Sequence, residues 1–189
     1  RALARDLLAH VDPLALSPQS GGRIALARAM AFAEEPARPF IYLPIAAALM
    51  PGTLVEESAL RRLTIHASRS ARGAVFLTSL ERYVRRFPGS PFLEDVLRNM
   101  GSLAASARIG ALDGGLPAFD IIVGELDTNT RRKIYGEMMR AGFASSQWAL
   151  CGHAAARLQR LSVDGSREER LGELYVLLLA VATRDDGIS

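Results

Sequence analysis

The sequence predicts an all-α protein, on three observations. Alanine and leucine abound while aromatic residues make up only 6% of the 189 residues, a composition that favours helices over sheets. Strict alternation of Val, Ile and Thr with polar residues is missing, and the nearest approach, Phe119–Leu126, is short. Apolar residues instead recur every three or four positions between cap and turn signals. With 49% hydrophobic residues, the chain is able to bury a core of ordinary size.

The first part of the chain predicts three helices separated by proline and glycine. The segment Ser17–Gly22 (SPQSGG) is expected to be a loop, since it combines proline, serine and two glycines. Three prolines crowd residues 36–44, so the third helix is expected to begin late, near Phe40 or Ile45, and to end by Pro51. The first two helices are expected over residues 2–11 and 23–35.

The segment Pro51–Arg62 (PGTLVEESALRR) predicts a loop, a cap and the first turns of an amphipathic helix. Thr53 and Glu56 have the spacing of a capping box. Glu57 and Arg61 are spaced i,i+4 in the favourable order on the polar face. The apolar stripe of this helix consists of Val55, Ala59, Leu63 and Ala67.

A second helix is expected to end at Pro88-Gly89, after an apolar stripe from Phe76 to Phe87. Ser90 is then expected to be the N-cap of the next helix, with Pro91 at its first position. One continuous stripe from Leu93 to Ala107 predicts a single helix there, and residues 117–126 predict another.

The last third predicts three more helices. Asp127–Thr130 (DTNT) supplies caps for a helix over residues 131–141, and Trp148 and Cys151 lie on the apolar stripe of the following one. Ser166 and Glu169 form a second capping box. The apolar run Leu174–Ala182 has less than half of the ~20 residues that a membrane span requires, so it is expected to be a buried core helix.

The spacing of these helices predicts a repeat architecture. Pairs fall at about residues 54–87, 91–126 and 130–161, close to the tetratricopeptide unit in length but without its sequence signature. We therefore expect antiparallel helix pairs stacked as a degenerate tetratricopeptide-like solenoid; an irregular helical bundle is the alternative. The whole chain, 1–189, is expected to be a single α-helical repeat domain, with possible sub-units 1–50, 51–126 and 127–189.

Charge points to one candidate binding surface. The formal net charge is only +3, but residues 61–108 hold nine arginines against three acidic residues. Five of these arginines lie on two helices expected to pack as neighbours, and a basic patch there would meet an acidic surface on a protein partner. The five are Arg61, Arg62, Arg82, Arg85 and Arg86.

Residues for catalysis or metal binding are sparse. His10, His66 and His153 lie in separate expected helices, and the single cysteine, Cys151, excludes an intrachain disulfide. We expect no catalytic, cofactor or metal site. Two other classes stay open: a helical enzyme or regulator that uses His66 or Cys151, and a nucleic-acid-binding helical domain, which lacks any supporting signature.

The stretch PGTLVEESALRR, followed after a short interval by RYVRRFPGSPFLEDVLR, resembles the MotC family of periplasmic motility proteins found with flagellar motors of alphaproteobacteria. The resemblance implies a non-enzymatic exported protein that supports flagellar rotation in the periplasm by acting with the stator protein MotB. Since the sequence begins at Arg1 without a leader, it is expected to be a fragment of a longer exported chain. The alternative is a generic tetratricopeptide-like adaptor of cell-envelope or secretion machinery.

Overall fold

The computed structural model describes residues 2–162 and 166–185, and within them it contains eleven α-helices and no strand, which confirms the all-α class. Short 3₁₀ turns at Pro13–Ala15 and Ile109–Ala111 precede α2 and α8. The helices are α1 (Ala2–His10), α2 (Pro18–Ala31), α3 (Arg38–Leu49), α4 (Leu54–Arg69), α5 (Gly73–Arg86), α6 (Leu93–Arg98), α7 (Met100–Ser106), α8 (Gly115–Gly124), α9 (Thr128–Ala144), α10 (Trp148–Leu161) and α11 (Arg167–Asp185).

Most of the extensive contacts join long helices that follow one another in the chain. Near the N-terminus α2 packs on α3, α3 on α4 and α4 on α5; near the C-terminus α9 packs on α10 and α10 on α11. The two groups are joined through α7, which contacts both α4 and α9, and through α8, which contacts α5. One continuous apolar core runs from Ala25 to Leu158, and its largest enclosed side chains include Phe76, Tyr83 and Phe119.

The joint between α7 and α9 depends on a glycine. A Cβ atom on Gly101 would lie 2.4 Å from the amide nitrogen of Met138 and 2.5 Å from the carbonyl oxygen of Ile134. Because both of those atoms are backbone, α7 and α9 can approach this closely only where no side chain intervenes. Gly101 therefore sets the distance between the two groups of helices.

The expected loop at Ser17–Gly22 is wrong, because α2 begins at Pro18. The Ser17 hydroxyl accepts a hydrogen bond from the Ser20 amide, and Pro18 occupies the first helical turn, where its missing N–H costs nothing. A Cβ atom on Gly21 would lie 2.2 Å from the carbonyl oxygen of Pro13. This glycine therefore permits close packing and does not mark a loop.

The third helix also starts earlier than expected, at Arg38, with Pro39 in its first turn and Pro44 inside it. It ends before Pro51, as the sequence predicted.

The single helix expected from Leu93 to Ala107 is wrong as well, because α6 and α7 meet at Asn99. The Asn99 side chain donates a hydrogen bond to the carbonyl oxygen of Asp95, 2.8 Å away, so it competes with the helical backbone for that acceptor. Ser90 does accept from the amide of Phe92, but α6 starts only at Leu93. The apolar stripe is continuous across the break, which is why periodicity alone missed it.

The expectation that Leu174–Ala182 is a buried core helix is also wrong. In α11, Leu171, Tyr175 and Leu179 pack against the core, whereas the side chains of Leu177 and Val181 are 66% and 61% exposed. The helix packs on α10 along one side, and the apolar residues of its other side have no covering element among the described residues. No helix in the described ranges combines the length and the apolar character that crossing a bilayer requires.

Candidate partner-binding surface

The first turn of α4 is capped largely as the sequence predicted. The Thr53 hydroxyl accepts hydrogen bonds from the amides of Val55 and Glu56. The Glu56 carboxylate reaches back to the amide of Gly52, at 2.6 Å, one residue earlier than in the standard capping box. Gly52 has a φ of +75°, a left-handed conformation that glycine adopts without strain, and this turns its N–H toward the carboxylate.

Glu56 also binds two arginines of the neighbouring helix. Its side chain is fully enclosed, and its two oxygens accept from Arg82, at 3.1 Å through Nε, and from Arg86, at 3.1 Å through Nη2. Burial alone would raise the pKa of Glu56, but the amide of Gly52 and the two guanidinium groups outweigh it and hold that pKa below its ordinary value. Glu56 is therefore ionised at neutral pH and joins α4 to α5.

Arg85 faces a different set of carboxylates. Its guanidinium contacts Glu81 on the same helix at 2.6 Å and Glu125, just after α8, at 2.9 Å. The Arg85 side chain stays half-exposed, so these pairs leave some of its N–H groups open to solvent.

The two predicted arginines of α4 are held differently again. The Arg61 guanidinium lies 4.3 Å from the ring centre of Phe92, a cation–π contact, and Arg62 donates to Ser58 on its own helix at 3.4 Å. Glu57 accepts from the hydroxyl of Ser90, which also bonds Tyr83, rather than pairing with Arg61. The i,i+4 pair suggested by the spacing of Glu57 and Arg61 is absent from the ion pairs of the described residues.

We call Arg61, Arg62, Arg82, Arg85 and Arg86 the arginine face. The structure brings Arg82 and Arg86 together on one carboxylate, and α4 packs on α5 as expected. Arg85, Arg61 and Arg62 have separate surroundings. Three of the five, Arg82, Arg85 and Arg86, thus pair with carboxylates of this chain. A partner could bind the guanidinium N–H groups that these pairs leave free.

A second polar cluster, which the sequence did not reveal, centres on Asp120. One oxygen accepts from the Tyr135 hydroxyl at 2.6 Å and from Nε2 of His153 at 3.0 Å, and the other accepts from Nε of Arg157 at 2.9 Å. These residues come from α8, α9 and α10, so the cluster joins three helices. His153 and Arg157 are four residues apart, a spacing that places them on one helix face, but nothing in the sequence marks Asp120 as their shared partner.

Asp120 is an anion at neutral pH. Burial would raise the pKa of Asp120, yet the hydrogen bonds from Tyr135, His153 and Arg157 lower it below its ordinary value. For Tyr135, burial and its hydrogen bond to the carboxylate raise the pKa strongly, so the phenol keeps its proton. Every member of the cluster is bound to Asp120, and the arrangement serves to hold the helices together.

Of the two groups considered for catalysis, Cys151 is poorly suited to act as a nucleophile. Cys151 is fully buried, and burial raises the pKa of its thiol to about 11, so the nucleophilic thiolate is scarce at neutral pH. Burial and the nearby Arg69 and Arg62 lower the pKa of His66. In the described parts of the chain, no group of three His, Cys, Asp or Glu side chains is arranged to hold a metal ion.

Comparison with known proteins gives two matches. A family model described as "Chemotaxis protein MotC" matches residues 1–188. Chemotaxis protein MotC of Rhizobium meliloti (strain 1021) is 29% identical over 136 residues, which cover 71% of this chain and 31% of that protein. The chain therefore spans about a third of the length of the curated relative that it matches. No solved structure matches it significantly.

Proposed function

This chain belongs to the MotC family of chemotaxis proteins, and we propose that it is a non-enzymatic periplasmic scaffold that supports flagellar motor rotation by binding the stator protein MotB. The observation that carries the proposal is the match of the family model to residues 1–188. Family membership supports a role in motility or chemotaxis. MotB as the partner and the periplasm as the location are part of our proposal.

We infer that the helix pairs α2–α3, α4–α5 and α9–α10 are the repeat units of a tetratricopeptide-like array. Each pair consists of helices of 12 to 17 residues that follow one another and pack together. Between α5 and α9 the short helices α6, α7 and α8 replace the regular pair, so the array is irregular there. Stacked helix pairs present long ridged surfaces, which suits a protein that holds another protein.

We propose that the arginine face contacts an acidic surface of MotB. Arg82 and Arg86 are poor positions to test this, because reversing either charge would remove one of the two guanidinium partners of the enclosed Glu56 and place a second carboxylate beside it. Within the described ranges the Arg62 side chain hydrogen-bonds to the hydroxyl of Ser58 alone, so Arg62→Glu changes the charge of the face with little effect on the fold. We expect Arg62→Glu to weaken capture of the periplasmic part of MotB in a pull-down, while Arg23→Glu, on α2, leaves it unchanged. Equal capture by both variants would remove the arginine face from the proposal.

Swimming of a deletion strain tests the motor function. We expect cells that lack the gene to assemble normal flagella, seen by electron microscopy, but to fail to rotate them, and a plasmid copy to restore swimming. Full swimming by the deletion strain would overturn the proposal. Normal swimming with a defect in the cell envelope or in secretion would favour the tetratricopeptide-like adaptor.

Location is tested separately, by fractionation of cells that produce the full-length protein. We expect the protein to be released with the periplasmic fraction and a cytoplasmic marker enzyme to stay behind. Recovery with the cytoplasmic marker would contradict the periplasmic assignment while leaving the motility test valid.

A further inference from the structure

A basic cleft of about 570 Å³ runs along one face of α9, on a different part of the molecule from the arginine face. Its cations come from three helices: Arg98 ends α6, Arg167 begins α11, and the others lie on α9. The cations of α9 in the cleft are Arg132, Lys133 and Arg140.

The floor of the cleft is open because of a glycine. On α9 the lining residues 129, 132, 133, 136, 137 and 140 follow the helical spacing of one face, and Gly136 lies in the middle of them. A Cβ atom on Gly136 would meet no atom within 4 Å. From Arg132 to Arg140 the face is about 12 Å long, which is the length of an extended segment of about four residues.

The cleft differs from the arginine face in its charge balance. Arg82, Arg85 and Arg86 each pair with a carboxylate, whereas no carboxylate of the described residues lies within ion-pair distance of Lys133 or Arg140. Arg132 donates to the carbonyl oxygen of Leu161, a neutral group, and among the described residues Arg98 is the lining cation that has an acidic partner, the exposed Glu94. Counted over the described residues, the cleft therefore keeps more unmatched positive charge than the arginine face.

We propose that this cleft binds an acidic segment of a protein partner. Carboxylates of such a segment would pair with Lys133, Arg140 and Arg132. The lining also includes Glu137, whose Oε2 atom is buried and has no hydrogen-bond partner among the described residues. The concave shape keeps the flat surface of a membrane from the floor of the cleft, and the length of the cleft matches a short extended peptide segment. The inference rests on the proposed function only in taking a protein as the partner.

The test compares two charge-matched double variants. The cleft variant combines Lys133→Glu with Arg140→Glu, at two exposed residues of the cleft. The control variant combines Arg23→Glu with Arg69→Glu, at exposed residues of α2 and α4 that do not line the cleft. The probe is a fluorescent twelve-residue peptide of alternating Asp and Glu, with an Asn and Gln peptide as its neutral counterpart. Circular dichroism and thermal melting establish that both variants fold.

We expect the unmodified chain to bind the acidic peptide and not the neutral one. The cleft variant should bind it at least about tenfold more weakly, a loss of about 1.4 kcal/mol, and the control variant within about threefold of the unmodified chain. Equal losses in both variants would mean that only net charge matters and would overturn the proposal. So would the absence of peptide binding, or preferential binding to polyphosphate or to vesicles containing phosphatidylglycerol. None of these outcomes depends on swimming, so this inference and the proposed motor function fail independently.

Discussion

At the scale of single residues, two carboxylates join the helices of this chain: Glu56, which is fully enclosed, and Asp120, whose side chain is 14% exposed. Glu56 joins α4 to α5 through two arginines, and Asp120 joins α8, α9 and α10 through Tyr135, His153 and Arg157. An ionised carboxylate out of water is costly unless its oxygens are fully bonded, and each of these oxygens accepts at least one charged or hydroxyl donor. Removing either carboxylate should therefore cost more than removing an exposed one.

We expect Glu56→Gln to lower the free energy of unfolding at neutral pH by about 3 kcal/mol, because the amide leaves two guanidinium groups without their anion. Urea unfolding followed by circular dichroism measures the change. The matched control is Glu94→Gln, which breaks the ion pair with Arg98 at the surface. There the side chain of Glu94 is 82% exposed and that of Arg98 is 67% exposed. Glu94→Gln should change the free energy of unfolding by less than about 0.5 kcal/mol. Equal effects of the two substitutions would contradict the role of Glu56.

Asp120→Asn should show a pH dependence of definite sign. The pKa of Asp120 is lowered by folding, so its contribution to stability is present above the unfolded pKa, about 4, and is lost as pH falls through the folded pKa. We expect the substitution to lower the free energy of unfolding by about 2 kcal/mol at pH 7. The difference in this free energy between the variant and the unmodified chain should become smaller below about pH 4. Urea unfolding across this range measures it, with Asp113→Asn, at an exposed position, as the control. A difference that stays constant with pH would show that the ionised form of Asp120 is not what stabilises the cluster.

At the scale of helices, glycine positions separate close packing from free surface. Gly101 of α7 lies against the backbone of α9, whereas Gly136 of α9 faces open space. We expect Gly101→Ala to destabilise the chain by about 2 kcal/mol, because α7 and α9 must move apart. Gly136→Ala should stabilise it by about 0.5–1 kcal/mol through helix propensity. Thermal unfolding of the two variants measures both changes, and a stabilising Gly101→Ala would contradict the close approach.

The sequence predicted the helices whose determinants are local, and it missed those set by distant contacts. The caps formed by the hydroxyls of Thr53 and Ser166 and the turn after Phe87 were predictable, because the residues involved lie within a few positions of one another. The start of α2 was missed because the role of Gly21 depends on Pro13 across a turn. The exposure of α11 was missed because periodicity identifies an apolar face but not whether another element covers it.

The candidate sites also divide into features with local sequence determinants and features that depend on distant contacts. The excess of arginine in residues 61–108 indicates the arginines of α4 and α5. That Glu56 and Glu125 pair with three of them depends on how α4, α5 and α8 pack. The Asp120 cluster and the α9 cleft combine residues that are up to about seventy positions apart in the chain, so no local pattern could have indicated them. Net charge, at +3, says nothing of where unmatched charge lies.

At the scale of the whole molecule, the continuous core from Ala25 to Leu158 predicts that the chain unfolds as one unit. The only tryptophan, Trp148, begins α10 and contacts the ring of Phe143, so its fluorescence reports on the C-terminal helices. Glu56 acts on α4 and α5. We therefore expect Glu56→Gln to shift the urea midpoint of Trp148 fluorescence as much as the midpoint of circular dichroism, because a cooperative unit transmits the loss throughout. If the fluorescence midpoint stayed in place while the dichroism transition split in two, the α4–α5 and α9–α10 regions would be separate folding units.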